Sequence, residues 1–83
     1  MQYIDIRQPI EMIAFFSGAK LKPLRFRWKG QVYKVRRVNG TWFTDEGIVR
    51  HVHYSVKADV ADSCELCFNS RDLNWTITRI AVE

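Results

Sequence analysis

Arg25-Phe26-Arg27-Trp28-Lys29 alternates strictly between cation and aromatic, the period-two pattern of a strand with one buried face. Lys29-Gly30 follows as a two-residue hairpin loop, the glycine supplying a positive φ at its second position. That loop sets a register: Trp28 opposite Gln31, Phe26 opposite Tyr33 and Leu24 opposite Val35. In the alternate positions Arg27 meets Val32, Arg25 meets Lys34 and Pro23 meets Arg36. One face of the hairpin then holds Leu24, Phe26, Trp28, Tyr33 and Val35; the other holds Arg25, Arg27, Lys34 and Arg36. A slip of one residue would mix the two sets, so turn and pattern agree.

Further along, Asn39-Gly40 is the strongest hairpin signal and predicts a second reversal, pairing Arg37 with Trp42 and Arg36 with Phe43. Asp45-Glu46-Gly47 marks the next turn. Ile48 to Ala58 reads as a strand with Val52, Tyr54 and Val56 inward and His51, His53, Ser55 and Lys57 outward. A loop around Asp59 to Asp62 leads into Cys64-Glu65-Leu66-Cys67-Phe68, where Cys64, Leu66 and Phe68 share a face. Pairing Val56 with Cys64 sets Tyr54 opposite Leu66 and His53 opposite Cys67. Arg71-Asp72-Leu73-Asn74 reads as a turn before a last strand, Trp75 to Val82, whose phase changes near Arg79 as at a bulge. Residues 1–20 admit two readings. Pro9, Glu11 and Gly18 bracket a short helix, whereas Ile10, Met12 and Phe16 line a strand. The regular spacing of turns elsewhere favours the strand.

These elements predict an all-β fold: one small antiparallel meander of five to six strands over residues 1–83, an SH3-like or OB-like barrel, closed or half closed. Its core should be Phe26, Trp28, Tyr33, Val35, Val52, Tyr54, Val56, Leu66, Phe68 and Trp75. Eighty-three residues leave room for one core only. No run of eighteen apolar residues exists to span a membrane as a helix. The opening Met1-Gln2-Tyr3-Ile4-Asp5 lacks the basic and apolar stretches of a secretory signal, so a cytoplasmic location is expected. Two cysteines three apart fit reduced thiols better than a disulfide framework.

Charge sharpens the picture. The net charge is +4, but Met12 to Thr44 contains eight basic residues and no acid, while the remainder carries five basic and nine acidic residues. Such asymmetry speaks about partners rather than about fold. The outward face of the first hairpin is therefore the candidate site, with Arg25, Arg27, Lys29, Lys34 and Arg36 to track phosphates and Phe43 to stack on unpaired bases. The competing reading is a solvated face, since edge strands carry Lys and Arg to block aggregation. Phe26, Trp28 and Tyr33 fall in the core by parity and are not counted as stacking platforms.

The run from Leu24 to Val38, preceded by Pro23, resembles the opening of a family of small uncharacterised bacterial domains with the pattern P-x-x-F-x-W-[RK]-G-x-x-Y-x-V-x-x-V. Glu65-Leu66, a short turn and Trp75 resemble its closing segment, so the likeness runs from about Leu24 to the C-terminus. It implies an all-β domain of bacterial origin. The association of some members with translesion-type DNA polymerases is compatible with nucleic acid as a partner. The chain departs from the pattern at Cys64 and Cys67, where the family tends to place aromatic residues, and the resemblance brings no catalytic residues.

Other chemistry finds less support. Cys64 and Cys67 point to opposite faces of a strand and cannot chelate one ion together. His51, His53 and Cys67 converge outward with Glu65 nearby, a conceivable zinc set, although two solvent-facing histidines are the commoner outcome. No nucleophile elbow or Gly-rich phosphate loop occurs. The sequence thus points to a non-catalytic module without cofactor, binding nucleic acid through the 24–38 hairpin. The alternative is a protein–protein module docking on an acidic partner surface.

Overall fold

The computed structural model describes residues 2–18 and 20–82. Six antiparallel strands follow one another: β1 (Gln2–Ser17), β2 (Lys20–Trp28), β3 (Gln31–Glu46), β4 (Val49–Ala58), β5 (Ala61–Asn69) and β6 (Asn74–Val82). Each pairs with the next, and β6 returns to β1, closing a barrel. Closure leaves no long two-sided edge at the seam. No helix among the described residues is long and apolar enough to cross a membrane.

The hairpin register is as the turn predicts over Arg25↔Lys34, Phe26↔Tyr33, Arg27↔Val32 and Trp28↔Gln31. Lys29 (φ 52°) and Gly30 (φ 79°) both adopt positive φ, the backbone of a type I′ turn, whose twist matches that of the strands. The pairing does not continue to Leu24↔Val35 or Pro23↔Arg36. Against β1, Ile13 pairs with Arg25 and Ala14 with Pro23, so Leu24 is the extra residue of a bulge. The bulge inverts the expected order: Pro23 is among the most completely buried side chains, and Leu24 is 38% exposed.

Asn39-Gly40 is not a turn. β3 runs unbroken through it, and the register against β4 shifts between Val38 and Gly40. Glycine there absorbs the bend of a strand that leaves β2 and joins β4. Arg37 consequently pairs with Lys57, Trp42 with His53 and Phe43 with Val52, in place of the predicted Arg37–Trp42 and Arg36–Phe43 pairs. The reversal comes later, between Glu46 and Val49, with Gly47 at φ 64°.

β1 resolves the N-terminal ambiguity in favour of strand. It pairs with β6 over Gln2–Ile10 and with β2 over Glu11–Ser17. Ile10 is buried and Met12 packs on the core, but Phe16, paired with Leu21 near the end of β1, is 66% exposed. In β6 the expected bulge is present: Ile77 pairs with Leu66 and Arg79 with Glu65, leaving Thr78 unpaired with β5. The core comprises Ile10, Phe26, Trp28, Tyr54, Val56, Ala58, Cys64, Leu66, Phe68, Trp75 and Ile77. Tyr33, Val35 and Val52 are only half-buried around it. Polar ends of the core aromatics are satisfied, with Trp28 Nε1 donating to Gln8 Oε1 at 2.8 Å and the Tyr54 hydroxyl to the Leu21 carbonyl at 3.1 Å.

Candidate functional site

The barrel presents two outward surfaces of different character. The first lies over β1, β2 and β3. Arg25 stands between Ile13 on β1 and Lys34 on β3; Arg27 stands between Glu11 and Val32. Lys22 pairs with Phe15 at the next outward position along β1. Ile13, Phe15 and Val32 are each more than half exposed, and a shallow cleft of about 280 Å³ runs among Glu11, Ile13, Arg25, Arg27 and Val32. The strand pairing thus brings cations and exposed apolar side chains together in one patch.

The predicted cations divide into free and engaged. Among the described residues Arg25 and Lys34 make no side-chain salt bridge, although the Lys34 backbone N–H donates to Asp59 Oδ2 at 3.4 Å and the lysine charge, behind the Arg36 hydrogen bond, helps to hold that carboxyl down. Arg27 approaches Glu11 only to 3.8 Å, both side chains largely in solvent, an arrangement worth little. Arg36 is held by Asp59, Nε to Oδ1 at 2.7 Å, and this hydrogen bond is the largest reason the Asp59 carboxyl lies below its ordinary pKa. Lys29 folds back over Trp28, its Nζ 5.0 Å from the ring centroid. Phe43 belongs elsewhere: it sits on the β3–β4 hairpin with the Arg50 guanidinium 5.2 Å from its ring centroid. Six residues of strand lie between it and Arg36, a span of up to roughly 23 Å. The aromatic ring beside the cations is Phe15, 56% exposed. Sequence reasoning missed it because the N-terminal strand was not placed against β2; the apolar pair Phe15-Phe16 was its only signal.

The second surface lies over β4, β5 and β6, flanked by β3 and β1. Trp42, His53, Cys67 and Thr76 form one cross-strand row, and Thr44, His51, Asn69 and Asn74 form the next. On the other side Ser55, Glu65, Arg79 and Asp5 form a third. A recess of about 690 Å³ lies over these rows, reached also by Arg7 and Thr78. Although Glu65 points outward, its side chain is only 12% exposed, and its carboxylate accepts from Arg79 Nε at 2.5 Å. The Arg79 guanidinium also lies 4.5 Å from the centroid of Tyr3.

The histidines and Cys67 do come to this recess, as the register predicts. Cys67 Sγ lies 3.6 Å from His51 Nδ1, while His51 Nε2 faces Glu46 at 3.6 Å. His53 is turned differently: its Nε2 meets Thr44 Oγ1 at 2.8 Å, and its ring stacks on Trp42 at 5.3 Å with 8° between planes. Burial, then the neighbouring His51, hold the His53 pKa below that of a free imidazole, with Glu65 opposing. Burial also pushes the Cys67 thiol up, so it is a poor nucleophile. No group of three or more His, Cys, Asp or Glu among the described residues is arranged to hold a metal ion. Cys64, on the opposite face, is fully buried with its thiol pushed up to about 12, first by burial and then by Glu65.

Comparison with protein-family profiles, with curated proteins and with solved structures finds no match to this chain.

Proposed function

We propose that the chain is a non-catalytic binding module of the cytoplasm that contacts single-stranded nucleic acid through the outer face of β1, β2 and β3. The observation that carries the reading is the juxtaposition of Arg25 and Lys34, which are cross-strand partners without a side-chain salt bridge among the described residues. Like charges directly opposite cost the fold stability, and a phosphate between them removes that cost. Arg27 extends the track, and Phe15 and Ile13 offer apolar surface on which bases can rest. The resemblance of the Pro23–Val38 segment to a family in which some members are associated with translesion-type DNA polymerases agrees in direction. Two free cysteines fit a reducing compartment.

The test is fluorescence anisotropy with a labelled single-stranded oligonucleotide at low salt. Wild type should bind, and Arg25→Ala with Lys34→Ala should lose at least about tenfold in affinity while unfolding at the same or a slightly higher urea concentration. Unchanged affinity in the double variant sinks the assignment.

One feature favours a second reading. The exposed Ile13 and Val32 beside Arg25 and Arg27 make an apolar centre with a charged rim, the anatomy of a protein interface. An acidic protein surface would then be the partner. A pull-down with and without nuclease separates the two: a partner that survives nuclease and is lost with Ile13→Ser supports protein docking.

A further inference from the structure

Past Lys34, β3 is hydrogen-bonded along one side only. Its pairing with β2 ends at Arg25↔Lys34, β4 covers the other edge from Val35 to Glu46, and no further strand among the described residues comes beside it. From Thr41 to Glu46 every residue is exposed. The neighbouring strands fix which backbone groups face the open edge. The Arg50 carbonyl accepts from the Ser70 N–H at 3.1 Å, so Arg50 turns its backbone away from β3, and Asp45↔Arg50 is a non-hydrogen-bonded pair. By alternation along the regular register from Gly40 to Glu46, Asp45, Phe43 and Thr41 direct their N–H and C=O groups to the open side. Edge strands are commonly blunted by Lys, Pro or inward charges. The length of β2 left unpaired with β3 carries Lys20, Lys22 and Pro23. Gly40-Thr41-Trp42-Phe43-Thr44 has neither charge nor proline and is rich in strand-forming residues. Charge stands only at the ends of this run, and with opposite sign: Arg36-Arg37 before it and Asp45-Glu46 after it.

We propose that this edge joins a second copy of the chain, β3 to β3, antiparallel about a two-fold axis at Trp42. In that register Thr41 exchanges hydrogen bonds with Phe43 of the other copy, which satisfies the outward backbone groups of both. Trp42 meets its own counterpart in the closely spaced, non-hydrogen-bonded pair between them, and each indole keeps its stack on His53. Asn39 is the extra residue of the bulge between Val38 and Gly40, so beyond it the register sets Val38 opposite Asp45 and Arg37 opposite Glu46. Arg37 pairs with Lys57 and Glu46 with Val49, both outward positions of β4, so the arginine and the glutamate share a face. Arg37 makes no salt bridge among the described residues, and Glu46 reaches only His51, at 3.6 Å with its side chain 87% exposed. The two-fold axis applies each of these contacts twice. The surface is separate from the cationic face and stands or falls independently of it.

Sedimentation velocity of the nuclease-treated whole chain over rising concentration tests this. The wild type is expected to move from the mass of one chain towards twice that mass. Trp42→Lys sets two like charges together at the two-fold axis without touching the core, and should weaken self-association at least about tenfold. Arg37→Glu and Glu46→Arg, each alone, place like charges opposite one another and should weaken it by a similar factor. An equimolar mixture of those two variants should regain the wild-type association, because every like-charged pair is then replaced by an unlike one. Amide spectra of the same samples show that each variant is folded. A wild type that stays monomeric at the highest attainable concentration overturns the proposal. Unchanged association in Trp42→Lys also overturns it, as does a mixture that associates no more strongly than its separate components.

Discussion

The two outward surfaces of this barrel are built from the same alternation of side chains yet end in opposite states. Over β2 and β3, Arg25 and Lys34 stand across from each other without a side-chain salt bridge among the described residues, and apolar side chains are left in solvent. Over β5 and β6, Glu65 is covered and paired with Arg79, His53 is bonded and stacked, and the thiol of Cys67 meets His51. The first surface leaves Arg25 without a salt bridge among the described residues; the second is mostly satisfied, with Arg7 lacking one among the described residues. The difference shows that a shared outward parity says little about chemistry. What decides it is which residues the neighbouring strands supply.

The largest effects should be common to both surfaces, because one core supports them. Phe26→Ala beneath the cationic face and Leu66→Ala beneath the recess should each cost about 3–4 kcal/mol in urea unfolding, both side chains being almost fully buried. A cost below about 1 kcal/mol for either would mean that its sheet is not packed on the shared core.

Of the same order is a pH effect on the side of β4 and β5. The Cys64 thiol stays protonated in the fold up to about 12, above the range in which a free thiol ionises. The unfolded chain therefore holds fewer protons than the native one above roughly pH 8.5. Stability should be full below that pH and fall as it rises towards 12, by up to about 1.4 kcal/mol per pH unit from this group. Cys64→Ala should flatten the alkaline limb, and an unchanged slope would remove the thiol from the account. His53 acts at the other end. Its folded pKa is depressed, so its contribution is present above about pH 6.5 and is lost as acid protonates the ring. An imidazole titration by NMR that placed His53 above a free histidine would contradict the half-buried, His51-facing geometry.

Much of this architecture is legible in the chain. The Lys29-Gly30 register and the β4–β5 pairing follow from strict alternation joined to a tight turn, which leaves one way to bury Phe26 and Trp28 or Tyr54 and Leu66. Asn39-Gly40 misleads because a glycine that closes a turn and a glycine that lets a strand bend have the same local sequence. Leu24 misleads because a one-residue bulge reverses parity, and its cause is the pairing with β1, far away in sequence. The same long-range pairing explains the candidate sites. Phe15 joins the cations, and Arg7 joins the recess over β4, β5 and β6, only when β1 closes the ring between β6 and β2. No local pattern encodes that closure.

The smallest expected effect sharpens the cationic face itself. Lys29 holds φ 52° at the hairpin tip, a position that asparagine tolerates better. Lys29→Asn should stabilise the barrel by about 0.5–1 kcal/mol in urea unfolding. Since its ammonium is committed to Trp28, oligonucleotide affinity should change little, whereas a loss matching that of Arg25→Ala would extend the site to the tip.

The most direct measurement of the central claim is the salt dependence of oligonucleotide binding by the wild type and by Arg25→Ala with Lys34→Ala. Three phosphate contacts, from Arg25, Arg27 and Lys34, predict a slope of log affinity against log salt of about −2 for the wild type, flattened by about 1.4 in the double variant. No binding at low salt, or the same slope in both proteins, would contradict the assignment of the β1–β2–β3 face as the nucleic-acid surface.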